Sequence, residues 1–131
     1  MKVLFVVPEI RLDGAPNHFP FWAGILAAIV ENKGGQVGIL DLNALRDNYN
    51  GKLVPVREIV EEIISEKWDL IGIGGLTSTY SRIKQLSKLI GKYSPNSLFI
   101  GGGGWSTYNP IEILQLIPEL DLLVLGEGEE T

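Results

Sequence analysis

Ser97-Leu-Phe-Ile-Gly-Gly-Gly-Gly-Trp-Ser-Thr107 is the stretch on which the reading of this chain turns. Its apolar start is a short buried strand, and the strand runs straight into four glycines. A strand that enters a glycine-rich turn ahead of a helix is where an α/β protein lets a ligand come close to its backbone. The helix that follows has a clear start: Asn109 suits the N-cap, Pro110 the first helical position, and Glu112 the third place of a capping box. A tight turn with positive φ needs only one glycine. Gly101, Gly102, Gly103 and Gly104 together argue for contact with a ligand.

Outward from this turn the chain repeats one theme. Lys2–Val7 is a continuous β-branched and aromatic run, the mark of a strand buried on both faces. Pro8 ends it, and a loop to Pro20 follows that is long for a strand–helix connection and therefore a place to expect a site. Residues 21–32 read as a helix closed by Lys33-Gly-Gly35, apolar nearly all round and hence either deeply buried or covered by a partner. Residues 36–40 form a second strand, and residues 41–54 read as polar and turn-rich. Pro55 opens a second helix with Ile59, Val60, Ile63 and Ile64 on one side. Residues 70–74 form a third strand. Its turn, residues 75–79, leads to a helix reaching Tyr93, for which Ser78 or Thr79 is the expected cap. The glycine strand comes next, then a helix over residues 110–117 stopped by Pro118, and a fifth strand over residues 121–125.

Five apolar strands alternating with four helices predict an α/β fold with a doubly wound parallel sheet, helices on both faces and right-handed crossovers. The expected strand order is 2-1-3-4-5, the flavodoxin-like arrangement, with ligands beyond the carboxyl ends of the strands. At 131 residues the chain is one domain with a sizeable core. A net charge of −5 weighs against nucleic acid and anionic membrane as partners. With no cysteine, the chain holds no disulfide and no thiolate catalyst, and the expected location is cytoplasmic. The apolar run over residues 19–30 is too short to span a bilayer, which takes about 20 residues.

Several ligands of such a fold are excluded by residue type. A phosphoacceptor receiver needs acidic groups at the ends of strands one and three, where this chain has Val7-Pro8-Glu9 and Gly74-Gly75. Strand one leads into neither a flavodoxin phosphate loop nor a G-x-G-x-x-G turn, and there is no P-loop. One histidine and no cysteine provide no metal cluster, and no nucleophile–base set can be named, so no catalytic residue is assigned.

Two segments, Asp69-Leu-Ile-Gly-Ile-Gly-Gly-Leu76 and Leu98-Phe-Ile-Gly-Gly102, resemble the Ser-x-Leu and Gly-Gly turns of cobalamin-binding domains. The ordered set Gly101-Gly-Gly-Gly-Trp-Ser-Thr107, Pro110-Ile-Glu112 and Asp121-Leu-Leu-Val-Leu-Gly-Glu-Gly-Glu129 is similar to the N-terminal cobalamin-binding domain of B12-dependent radical SAM enzymes. The resemblance covers essentially the whole chain. It implies a slot for the nucleotide tail of cobalamin between the ends of strands three and four, kept free of side chains by Gly72, Gly74, Gly75, Gly101 and Gly102. It implies cofactor contacts from Pro8, Glu9, Leu76, Thr77, Ser78, Thr79, Gly103, Gly104, Gly126, Glu127 and Gly128, and further hydroxyls from Ser106 and Thr107. Trp105 has two readings, stacking on a ring of the ligand or packing between helix and loop.

The chain departs from the classical pattern in two places. The cobalt-ligating Asp-x-His-x-x-Gly loop is missing, since Asp13, Gly14 and His18 lack its spacing, and Gly74 stands where Ser-x-Leu has its serine. Glu127 is expected at the edge of the site, with Glu129 and Glu130 in a solvated linker. The resemblance also implies a C-terminal radical SAM domain of the same protein, carrying a 4Fe–4S cluster and S-adenosylmethionine, for methyl transfer or oxidative cyclisation. The alternatives are a degenerate docking module that binds no cobalamin, with a homodimer or interdomain contact through the first helix, and a small-ligand sensor.

Overall fold

The first strand, β1 (Lys2–Val7), is buried along almost its whole length, as a run apolar on both faces should be in the middle of a parallel sheet. It is flanked by β2 (Gln36–Asp41) and β3 (Leu70–Gly74), and the sheet continues through β4 (Leu98–Gly102) to β5 (Leu122–Val124). A computed structural model describes residues 1–10 and 19–130. The expectations for Asp13, Gly14 and His18 lie outside the described residues. All four strand pairings are parallel and the order is β2-β1-β3-β4-β5, the predicted flavodoxin-like topology.

The register sorts each strand into two faces. Leu4, Val6, Ile71, Ile73 and Phe99 pack against α3 (Val56–Ile64), α4 (Tyr80–Tyr93) and α5 (Pro110–Leu116) through Ile59, Ile63, Ile83, Leu86, Ile90 and Ile113. Val3, Phe5 and Val7 on the opposite face pack against α1 (Phe21–Asn32) through Ala23 and Ala27. This division follows from right-handed crossovers. The chain runs leftward once, from β1 to β2, and rightward afterwards, so α1 is separated from the other long helices. Helix α1 covers only the left part of its face. Leu98 and Leu122 are left 41% and 52% exposed on β4 and β5.

Of the two expectations for α1, deep burial fails: only Ala23 and Ala27 are buried, while Phe21 is 72% and Ile25 47% exposed. Residues 41–54 are not merely turns. Asp41 accepts from the backbone N–H of Asn43 and Ala44, at 2.9 and 3.4 Å, and so starts the short helix α2 (Leu42–Leu45), which a 3-10 turn, Arg46–Tyr49, extends. The expected caps also differ. Asn109 bonds the Glu112 carboxylate side chain to side chain, with no cap to the backbone, and Thr79 turns its hydroxyl back to Leu76. Pro110 does occupy the start of α5. No helix among the described residues is long and apolar enough to cross a membrane.

Candidate functional site

The turns after β3 and β4 meet at the carboxyl end of the sheet because neither carries side chains where they touch. Gly103 has φ +98°, and a Cβ there would lie 2.9 Å from the Gly75 carbonyl oxygen. Only glycine satisfies both conditions. The two turns therefore form one continuous rim, on which Leu76, Thr77, Ser78, Gly103, Gly104 and Thr107 are exposed.

Beneath the rim, the glycines of β3 and β4 have two different jobs. Gly101 faces the helical side, where a Cβ would come within 2.8 Å of both Trp105 and Leu123. Trp105 is 3% exposed and donates its indole N–H to the Gly102 carbonyl at 2.8 Å. Of the two readings of Trp105, the structure shows packing: the ring wedges under the glycine turn and has no face free to stack on a ligand. Gly72, Gly74 and Gly102 face the α1 side. There Gly72 lies under the Phe5 ring and Gly74 under Trp22, whose indole would stand 2.7 Å from an added Cβ. The idea that all these glycines hold a slot open is thus corrected: at Gly72 and Gly74 aromatic rings from the protein take the space. Over Gly102 the nearest atoms to a Cβ would be Val124 Cβ and O, at 3.8 Å.

The result is a furrow on the α1 side. Its floor is the bare backbone of Gly102, flanked by Trp22 over Gly74 of β3 and by Val124 of β5. Gly126, at φ +76°, turns the chain after β5, and Gly128 comes to lie 3.8 Å, measured from its Cβ position, from both Leu26 and Val124. Gly128 thus lies between Leu26 of α1 and Val124 of β5, with Glu127 exposed beside it.

Three expected contact residues are committed elsewhere. The Glu9 side chain is fully buried and receives Arg82 bidentately, Nε and a terminal nitrogen each at 2.8 Å, while the Val54 N–H donates to it at 3.2 Å. Pro8 is buried, and its carbonyl accepts from the Asn43 side chain at 2.8 Å; Asn43 in turn accepts from the Ile10 N–H at 2.8 Å. Thr79 is buried on Leu76. Glu9 and Thr79 therefore have structural partners in place of a ligand, and Pro8 helps to anchor the start of the next loop. Ser106 is likewise buried, 2.8 Å from the Gly103 carbonyl. Sequence reasoning missed the packing of Trp22 over Gly74. The signal available was an indole at the second position of the first helix, opposite a strand ending in glycine.

Among the described residues no three His, Asp or Glu side chains converge to hold a metal ion. The arrangement suits a ligand with a planar apolar part, to lie in the glycine-floored furrow, and a polar part, to meet hydroxyls and backbone amides at the rim.

The model of the B12 binding domain family matches residues 11–131. The chain is 25% identical, over 99% of its length, to the anaerobic magnesium-protoporphyrin IX monomethyl ester cyclase of Rubrivivax gelatinosus, of which it covers 23%. It is 30% identical to the cytidylyl-2-hydroxyethylphosphonate methyltransferase of Streptomyces wedmorensis, covering 99% of this chain and 27% of that protein. Its fold superposes with a TM-score of 0.78, at 19% identity, on the radical S-adenosylmethionine methyltransferase TsrM of Kitasatospora setae, solved with cobalamin and an iron–sulfur cluster bound; the match covers 98% of this chain and 23% of TsrM. The chain thus spans about a quarter of the length of these relatives.

Proposed function

The chain belongs to the B12-binding domain family, and from that premise we propose that it binds cobalamin at the carboxyl end of its sheet, as the accessory domain of a radical SAM enzyme. The observation that carries the reading is the open floor over Gly102, set between Trp22 and Val124 under the exposed rim. The tail of cobalamin combines a flat heterocycle with a ribose and a phosphate. The heterocycle suits the furrow, and Thr77, Ser78, Thr107 and the backbone of Gly103 and Gly104 suit the polar groups. Gly74, standing where the classical Ser-x-Leu turn has its serine, costs one hydrogen bond to the tail, worth about 0.5–1.5 kcal/mol, which weakens binding without preventing it.

When bound, cobalamin would supply a cobalt centre for methyl transfer or oxidative cyclisation in the whole protein. This chain's share is to hold and orient the cofactor and to shield its tail from water. The radical SAM domain is the partner that the reading requires. The exposed Phe19, Phe21 and Ile25 on and before α1 are apolar surface suited to an interdomain contact or a homodimer.

The test is direct. The protein is mixed with hydroxocobalamin, freed of unbound ligand by gel filtration, and its visible spectrum recorded. Retained corrin absorbance that is lost in Gly102→Trp is the expected result. A colourless protein peak at high ligand concentration would favour a docking module instead.

A further inference from the structure

The outer edge of β2 carries an inference that does not depend on the cofactor. β2 ends the sheet, with β1 as its neighbour on one side and no strand among the described residues on the other. The Gln36 N–H donates to the Met1 carbonyl at 2.9 Å, so the backbone groups of residue 36 point toward β1. Along a parallel strand, successive residues turn their N–H and C=O groups to opposite sides. Gly38 and Leu40 therefore also face β1, and Val37 and Ile39 hold theirs outward. Natural edges are blunted by lysine, proline, a bulge or extreme shortness. This edge has none of these. Residues 36–40 are uncharged and free of proline, β2 is six residues long, and its register with β1 is unbroken. It is also apolar: Val37 and Ile39 lie on the same face as Phe5, and Ile39 is 43% exposed.

We infer that the β2 edge is the docking surface for a second copy of this chain. The two β2 strands pair antiparallel about a two-fold axis at Gly38, and two five-stranded sheets become one of ten. Self-complementarity selects this occupant. With Gly38 opposite Gly38 of the other copy, Val37 stands opposite Ile39 of the other copy, and Ile39 opposite its Val37. Each of these pairs exchanges two N–H···O=C bonds, and their apolar side chains meet on the α1 face. The glycines on the axis form the close pair, with Cα atoms about 4.5 Å apart, and bring no side chain to it. Charge agrees with the alignment. The first charged residues on either side of the uncharged run are Lys33 and Asp41, and antiparallel pairing brings the Lys33 end of one copy to the Asp41 end of the other. Gly102 and Val124 lie on the far half of the sheet, so the candidate site stays open in such a dimer.

The test reads both association and register. Sedimentation velocity on the wild-type chain should show a dimer whose share grows with concentration. Ile39→Lys puts a charge on the edge, and Ile39→Pro removes an outward N–H while sparing the ladder to β1. Both should be monomeric where the wild type is mostly dimeric, with the same circular dichroism and the same retention of hydroxocobalamin as wild type. The chain has no cysteine, so a disulfide can report the register. Hydrogen-bonded antiparallel residues have Cα atoms about 5.5 Å apart, within disulfide range. The double variant Val37→Cys, Ile39→Cys should therefore give a covalent dimer on air oxidation, seen by non-reducing electrophoresis, and either single variant far less. A wild type that stays monomeric at its highest soluble concentration overturns the inference. So does a dimer that persists in both Ile39 variants, or a double-cysteine variant that cross-links no better than the single ones.

Discussion

Arg82→Met should be among the most damaging substitutions in the domain, although residue 82 lies on a helix whose outer face is polar. The Glu9 carboxylate that Arg82 grips is 0% exposed and the arginine side chain only 10%. Methionine preserves the length and apolar contacts of the stem. It removes both charged hydrogen bonds to Glu9, the weaker 3.4 Å bond to the Val54 carbonyl and the bond to Gln85. The carboxylate is left buried with the Val54 N–H. Breaking a buried pair from one side costs about 3–5 kcal/mol, a large part of a total stability of roughly 5–15 kcal/mol. With an unfolding entropy of about 2.1 cal/mol/K per residue over 131 residues, each kcal/mol lowers Tm by about 4 °C, so a drop of roughly 11–18 °C is expected. Equilibrium urea unfolding followed by circular dichroism measures the loss, with the m-value checking that the transition keeps its character. Glu9→Gln completes a double-mutant cycle. The double variant should lose less than the sum of the singles, by about 1.5–3 kcal/mol, because the stranded charge is then gone. A loss below about 1 kcal/mol for Arg82→Met, the range of a solvent-exposed pair, would refute the claim that this pair holds the loop after β1 to α4 and to the segment before α3.

Other substitutions separate the roles of the glycines. Gly74→Ser should destabilise by about 1–3 kcal/mol, because its Cβ overlaps Trp22, whereas Gly102→Ala should be close to neutral; denaturant midpoints compare the two directly. Gly103→Ala combines a positive φ with a clash on the Gly75 backbone and should cost about 1–3 kcal/mol in the same assay. Asn43→Ala removes the bonds to Pro8 and Ile10 inside the fold, and a loss of about 1–3 kcal/mol is expected from thermal melting.

The strands and their order were legible because they depend on local features: apolar runs on both faces, turn residues between them, and the handedness of crossovers. The family resemblance was legible for a similar reason, since glycines in turns leave a linear trace. What the sequence hid was set by partners far along the chain. Glu9 looked like a site residue because it follows β1 in a loop, but its partner Arg82 is 73 positions away. Trp105 stands beside the glycines in sequence and under them in space. Trp22 is the reverse, distant in sequence from Gly74 and in contact with it. Helix α2 was missed because residues 41–54 lack apolar periodicity. Its start depends on the Asp41 carboxylate, and Arg46, nearly fully buried, donates two hydrogen bonds to the Gly51 carbonyl, at 3.1 and 2.8 Å.

The contact between Gly103 and Gly75 couples two segments that belong to different βα units. Backbone packed directly on backbone leaves no side chain that could turn aside and let one turn shift alone. Local opening should therefore involve both turns as a single cooperative unit, with their amide protons exchanging at matched rates. A ligand touching the rim at Thr77 alone would slow exchange at Gly104 as well, so the two edges of the site would be felt from either side.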